Sequence, residues 1–295
     1  MAAHAEAQPL TPAAVQALLR TQALGRVLHI LPEVASTNST AFTLAEAGAP
    51  DGTVVVAEEQ TAGRGRLGRS WFSPPGRNLY CSVLLRTFPS PERVAAWLSW
   101  VPLVSGMAVL RTVTTVSENG GRFIFQSQTP DEVGKINRPS FSLKWPNDVF
   151  VGDRKIGGVL CESSGFGTPR AALVVGVGLN VNTSAEDFPE DLRGLATSLA
   201  VETGRRFDRV ELLAGLLLEL EVRYRTILSD IPPAVRSEYR TLCSTLGRRV
   251  RVTLSSGEHI EGEAQAITAE GALQLIDGGT GHQVIIRAGD VVHLR

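Results

Sequence analysis

The sequence predicts an α+β fold, in which a mixed, largely antiparallel sheet is flanked by helices and followed by a small all-β barrel. Three observations carry this. Residues 141–182 contain the short β-rich segments FSLKW, NDVFV, KIGGVLCES and ALVVGVGLNVN, joined by turns such as Gly152-Asp153; hairpin spacing of that kind favours antiparallel pairing. Residues 208–228 place apolar side chains at helical spacing. A composition shift at Leu246-Gly247 opens four or five short strands in about fifty residues, from RRVRV to VVHLR, which fits a small barrel.

In chain order, a short helix is expected over Ala13–Leu19 after Thr11 and Pro12. A second begins near ASTNSTAF, capped by Thr37 or Asn38 and closed at Gly48. The run TVVVAEE reads as a strand after the turn Pro50-Asp51-Gly52, and LYCSVLLR, residues 79–86, as another. SPERVAAWLSW opens a helix with Ser90 at the cap and Pro91 at the first position. Pro102 predicts a break or kink in its continuation to about Val113. Residues 114–139 are polar and aperiodic and read as a long excursion. A further helix is expected over about Ala234–Cys243.

At 295 residues and 43% hydrophobic content the chain can bury one large core and carry a small second module. A formal net charge of −1 provides no global field for nucleic acid or anionic membrane, so neither partner is expected. Three widely separated cysteines, Cys81, Cys161 and Cys243, support neither a disulfide framework nor a zinc site; no metal ligands are expected and a reducing cytoplasm fits. The start MAAHAEAQPL lacks the features of a signal peptide, and apolar runs such as Ala171–Val175 are too short to span a bilayer.

Chemistry is suggested first by GRGRLGR, residues 63–69, between two strands. It matches GxGxxG formally, but Trp71-Phe72-Ser73-Pro74-Pro75 blocks the helix that a dinucleotide site needs. An arginine-glycine nucleic-acid segment normally belongs to longer disordered tracts. A merely solvated loop would not explain why arginines 64, 66, 69, 77 and 86 occur without an acidic residue between Glu59 and Glu92. The remaining reading is a mobile loop that closes over phosphate, glycine giving hinges and arginine giving forked anion contacts. Two of the chain's three lysines, Lys144 and Lys155, fall in KWPNDVFVGDRKIGG. They are expected on the two strands of one hairpin with Asn147 and Asp148 in the turn. A compact ammonium can reach between two anions. Gly157-Gly158 and Gly176-x-Gly178 strip side chains from neighbouring strands and are expected to clear floor space for a ligand.

STN at 36–38, QTAGRGRLGRSW at 60–71, KWPND at 144–148, DRKIGG at 153–158 and GLNVN at 178–182 together resemble biotin protein ligases in order and spacing. The resemblance covers about residues 30–295. It implies a class II synthetase-like catalytic domain over 31–243, an SH3-like domain over 244–295, and an N-terminal extension over 1–30. The implied reaction joins biotin and ATP into biotinyl-5'-adenylate, with Mg2+ accompanying the nucleotide, and then transfers biotin to a lysine of a biotin carboxyl carrier protein. Ser36, Thr37, Asn38 and Gln60 are implied for the biotin ring, with Arg64, Gly65, Arg66, Trp71 and Lys155 completing the biotin site. Arg66, Arg69, Asn147, Lys155 and Asn180 are implied for ATP and the adenylate, and Lys155, Arg64 and Arg66 for catalysis. Lipoate ligases share the superfamily, and a non-catalytic biotin- or nucleotide-binding protein is the alternative of another class. A winged-helix repressor domain would need roughly sixty residues before STN, where about thirty-five stand; a ligase without repressor activity is expected, and a homodimer is compatible.

Overall fold

The computed structural model describes residues 9–123, 140–168, 170–254 and 256–294. Its main sheet contains β1 (Leu28–Val34), β2 (Val54–Gln60), β3 (Leu79–Leu85), β4 (Phe141–Lys144), β5 (Asp148–Val151), β6 (Arg154–Ser164) and β7 (Ala172–Leu179), in the spatial order β1-β2-β3-β7-β6-β5-β4. β1 and β2 are parallel and every other neighbouring pair is antiparallel. Helix α2 (Thr37–Glu46) covers one face, its Ala41 and Ala45 packed with Val55, Leu84 and Val174. The opposite face lies under α3 (Pro91–Glu118), which packs in turn on α5 (Arg209–Ser229). With both faces covered, LYCSVLL in β3 is buried at every position, so it reads as an unbroken apolar run and not as an alternation.

The helix α1 (Pro12–Leu18) is capped by Thr11, whose Oγ1 accepts Ala14 N at 3.2 Å. The segment after it is fixed to α5 by one buried carboxylate. Glu221 accepts backbone N–H groups from Gln22, Ala23 and Leu24 at 2.6–2.8 Å. Burial alone would raise its pKa, but these backbone donors hold it below the ordinary value.

Two expectations need correction at α3. The helix continues without a break through Pro102 to Glu118. The missing proline N–H costs one intrahelical bond, while Trp97, Trp100, Val104, Met107 and Val113 remain buried along the helix and hold its course. The first part of the supposed excursion is therefore helix, and residues 124–139 lie outside the described residues. This 28-residue helix is also long and apolar enough, by length and composition, to cross a bilayer, contrary to the sequence reading, although 61% of its most apolar window is buried within the fold.

After α4 (Leu199–Thr203), α5 and α6 (Pro233–Leu242), the chain forms β8 (Arg249–Thr253), β9 (His259–Ile267), β10 (Leu273–Asp277), β11 (Gln283–Ile286) and β12 (Asp290–His293). These make a second antiparallel sheet in the order β11-β10-β9-β8-β12. Alternation is clear in β8, where Val250 and Val252 are buried between exposed arginines. The loop after α6 and the turn between β9 and β10 both fasten this part of the chain to the first sheet: Trp145 N donates to Thr245 Oγ1 at 3.1 Å, and the Trp145 indole donates to Gly271 O at 3.1 Å.

Candidate active site

A cavity of about 430 Å³ opens where the first turn of α2, the glycine-arginine loop, the centre of β6 and β7, and the start of β12 meet. Its polar end is built around α2. Ser36 is the N-cap residue but makes no side-chain cap bond. Capping comes instead from across the sheet: Gln60 Oε1 accepts Thr37 N at 2.9 Å and Thr37 Oγ1 at 3.1 Å, and Gln60 Nε2 donates to Ser73 Oγ at 3.0 Å. The expected capping by Thr37 or Asn38 is thus not formed, because both lie inside the helix, and their side chains are turned to neighbouring strands. Asn38 Nδ2 donates to Glu162 Oε2 at 2.7 Å and to Leu160 O at 3.2 Å, and Asn38 Oδ1 lies 2.6 Å from Ser82 Oγ.

The opposite end is cationic. Arg66, Arg69, Lys144 and Lys155 line it against three carboxylates, Asp148, Asp153 and Asp290, while a fifth basic side chain, Arg64, lines the cavity beside α2. Lys155 Nζ lies 2.6 Å from Asp148 Oδ1, an ion pair outside aligned hydrogen-bond geometry, and 5.3 Å from the centre of the Trp71 ring. Burial pushes the Arg66 guanidinium below its ordinary pKa, against the pull of Asp148 and Asp290. Among the described residues it makes no ion pair and donates to Asn147 Oδ1 at 3.2 Å. Burial also lowers the Lys144 ammonium, which sits over the Phe150 ring. A surplus of desolvated cations is an arrangement that favours an anionic ligand.

The loop folds back on itself. Gly65 N donates to Arg69 O at 2.7 Å and Trp71 N to Gly63 O at 2.9 Å. A Cβ on Gly63 would meet Ser73 Oγ and Trp71 O at 2.7 Å. The turn is made at Leu67 and Gly68, with φ of 55° and 74°. Gly65 has φ −110° and space for a Cβ, so the left-handed geometry of the turn falls at the two residues after Arg66. The missing local carboxylates arrive from distant segments: Glu162 for Arg64, Asp290 for Arg69 and Asp187 for Arg77. Arg86 uses the carbonyls of Ala45 and Ala49 at the end of α2.

The match to known proteins decides the family. The Biotin/lipoate A/B protein ligase family pattern covers residues 31–180, and the biotin protein ligase C-terminal domain pattern covers 245–294. The chain belongs to the biotin/lipoate A/B protein ligase family. It is 36% identical over 292 residues to the biotin--[acetyl-CoA-carboxylase] ligase of Mycobacterium tuberculosis, covering 97% of this chain and 98% of that relative. It is 31% identical over 273 residues to the bifunctional ligase/repressor BirA of Escherichia coli, covering 91% and 76% respectively. Among solved structures, the biotin protein ligase of Aquifex aeolicus in complex with biotin and ATP superposes with a TM-score of 0.70 at 30% identity, covering 92% of this chain and 99% of that one.

In this ligase the residues singled out from the sequence, Ser36, Thr37, Asn38, Gln60, Arg64, Gly65, Arg66, Arg69, Trp71, Asn147, Lys155 and Asn180, all line the one cavity. The polar groups of Asn147 and Asn180 are committed to the protein. Asn147 Nδ2 donates to Val159 O at 2.7 Å, while Asn180 Nδ2 donates to Thr197 O at 3.0 Å and its Oδ1 accepts from Asn78. Lys144 and Lys155 are not on paired strands: they lie on β4 and β6 with β5 between them, because Asp148 begins a strand of its own. Gly176 and Gly178 of β7 line the cavity with Gly158, and they also make room for protein side chains. A Cβ on Gly176 would lie 2.2 Å from Asn38 Oδ1, and one on Gly178 would lie 2.5 Å from the Trp71 ring.

Sequence reasoning missed Ser82, Glu162 and Asp290 as site residues, and left Lys144 and Asp148 without a role. KWPND carried the signal for the last two. Glu162 and Asp290 had none, since each is an acidic residue on an ordinary strand until pairing brings it to the loop.

Proposed function

We propose that this ligase activates biotin with ATP to biotinyl-5'-adenylate, releasing pyrophosphate, and then transfers biotin to a lysine of a carrier protein. The observation that carries this reading is one cavity with a neutral hydrogen-bonding end around Thr37, Asn38 and Gln60 and a cationic end around Lys155, Arg66 and Arg69. The uncharged ureido ring suits the first end and the carboxylate and phosphates suit the second. The chemical obstacle is the approach of one anion to another, about 4 kcal/mol per charge pair at about 4 Å and an effective dielectric near 20, or roughly three decades of rate.

Lys155 is the residue proposed to ease that approach. Its ammonium would lie between the biotin carboxylate and the α-phosphate, so that charge building on the phosphate during in-line displacement is met by a cation already in position. Arg66, with Arg64 and Arg69, would draw the loop over the phosphates, and Trp71 would pack beneath it. The second step then breaks the acyl-phosphate anhydride as a neutral carrier lysine attacks the acyl carbon and AMP leaves. A closed loop keeps water from that anhydride.

Mg2+ is proposed to enter bound to ATP as part of the substrate; no group of three or more His, Cys, Asp or Glu capable of holding a metal occurs among the described residues. The carrier is proposed to be the biotin carboxyl carrier of acetyl-CoA carboxylase, the enzyme that the name of the mycobacterial relative contains. A cytoplasmic setting is proposed from the three free cysteines.

Pyrophosphate exchange into ATP, run with biotin, lipoate or octanoate, tests the reading. Exchange with biotin alone is expected. Exchange with lipoate or octanoate in preference to biotin would overturn the substrate, and binding of biotin without exchange would overturn the chemistry.

A further inference from the structure

We infer that Glu162 is a positioning residue that couples the polar end of the cavity to closure of the glycine-arginine loop. The inference takes the identity of the ligand from the biotin-ligase reading and the latch itself from geometry. Glu162 lies near the end of β6, opposite Val174 of β7. Its carboxylate receives three donors from two separate elements. Asn38 Nδ2 in α2 donates to Oε2 at 2.7 Å, and Arg64 in the loop donates through Nη2 to Oε2 at 2.8 Å and through Nη1 to Oε1 at 2.9 Å. Arg64 Nη2 also reaches Ser39 Oγ at 3.4 Å, so the guanidinium bridges the sheet and the start of α2.

Each end of this bridge is constrained. The Asn38 amide has little freedom to turn, because its Oδ1 is held at Ser82 Oγ and occupies the space above Gly176. The negative oxygens of Glu162 therefore fix which face of the amide is presented to β6. At the other end Arg64 belongs to the self-bonded loop: it bridges to Ser70, and the next residue, Gly65, is tied to Arg69. Securing Arg64 secures the hairpin that carries Arg66 over the cavity. A bidentate pair sharing its carboxylate with a buried amide is better defined than an isolated surface ion pair. Linkage then requires reciprocity: biotin bound beside Asn38 holds the loop closed to the same extent that the latch raises biotin affinity.

Limited trypsin digestion reads the loop directly, since Arg64, Arg66 and Arg69 are cleavage sites. Biotin is expected to slow cleavage of the wild-type loop. Glu162→Gln should speed cleavage of the unliganded loop about threefold to fivefold, the range for a partly exposed bidentate pair. It should also remove most of the biotin protection and raise the biotin KM of the exchange reaction with little change in kcat. Arg64→Lys keeps charge and cleavage site but loses the fork; the double variant should be no more labile than Glu162→Gln alone. Wild-type cleavage rate and protection in a folded Glu162→Gln protein would overturn the latch, as would additive effects in the double variant. Should Glu162→Gln fail to fold, Arg64→Lys decides by the same two measurements. Absence of biotin-dependent exchange in the wild type would instead overturn the ligase reading, and the unliganded cleavage rates would still judge the latch.

Discussion

Lys155 Nζ lies 2.6 Å from Asp148 Oδ1, joining the third residue of the DRKIGG motif to the last residue of KWPND across the β5–β6 pairing. The space they share exists because Gly158 follows on the same strand: a Cβ there would come within 3.2–3.3 Å of Lys155 and of Asp148 Oδ1. Asp148 thereby holds the ammonium over the cavity. Lys155→Gln, which removes the charge and shortens the side chain by one atom, is expected to lower biotin-dependent pyrophosphate exchange by about 10²- to 10³-fold, the scale of losing one transition-state charge stabiliser. Exchange at the wild-type rate would remove Lys155 from the chemical step.

Gly176→Ala and Gly178→Ala should separate two functions of β7. The first places a methyl group 2.2 Å from Asn38 Oδ1 and should displace the amide; the second places one 2.5 Å from the Trp71 ring and should displace the indole. Each is expected to cost about 1–3 kcal/mol through overpacking. The biotin KM should rise most in Gly176→Ala, while tryptophan fluorescence should change most in Gly178→Ala. Identical behaviour of the two variants in both measurements would contradict these separate seats.

The second sheet reaches the active site through Asp290, which pairs with Arg69 of the loop. Both side chains are partly exposed, at 33% and 56%, so the pair contributes at most about 1 kcal/mol. Asp290→Asn should accordingly change the ATP KM by no more than about fivefold, given that 1.4 kcal/mol is a factor of ten, and leave the biotin KM alone. A larger change in the biotin KM than in the ATP KM would place this contact at the wrong end of the cavity.

His293 supplies a pH dependence. Burial, together with the charges of Lys144 and Arg248, pushes its pKa from 6.5 down to about 4, and its Nε2 lies 3.2 Å from Thr245 Oγ1. Between these two values the unfolded chain holds a proton that the folded chain refuses. The stability contribution is complete above pH 6.5 and is lost as pH falls through about 4. Discounted for a ring that is only partly buried, the loss amounts to about 1–2 kcal/mol. His293→Asn should flatten the decline of melting temperature between pH 7 and 5 relative to wild type; parallel curves would show that this histidine does not contribute.

Much of the fold was legible because helix ends and strand runs are local. Asp208 caps α5 through Val210 N at 2.7 Å, as an acidic residue before an apolar periodic run should. The break that Pro102 suggested does not form, because a local penalty of one lost hydrogen bond says nothing about the tryptophans and aliphatic residues buried on both sides of it. The lysine pair misled for a related reason: a cluster in sequence gives proximity, whereas strand order decides which residues face each other.

The sequence by itself determined the mixed sheet and the β-rich C-terminal module, through turn chemistry and periodicity, and the run of unbalanced arginines marked the cationic loop; the polar residues that line the cavity came from the resemblance of its motifs to biotin protein ligases. Only the tertiary structure decided how those charges are partnered: Arg64 by Glu162, Arg69 by Asp290, Lys155 by Asp148. It also decided that the glycines of β7 seat Asn38 and Trp71. The physical reason is range. Backbone preferences act over a few residues, but a carboxylate ninety-eight positions away becomes a hydrogen-bond partner only after the sheet has paired.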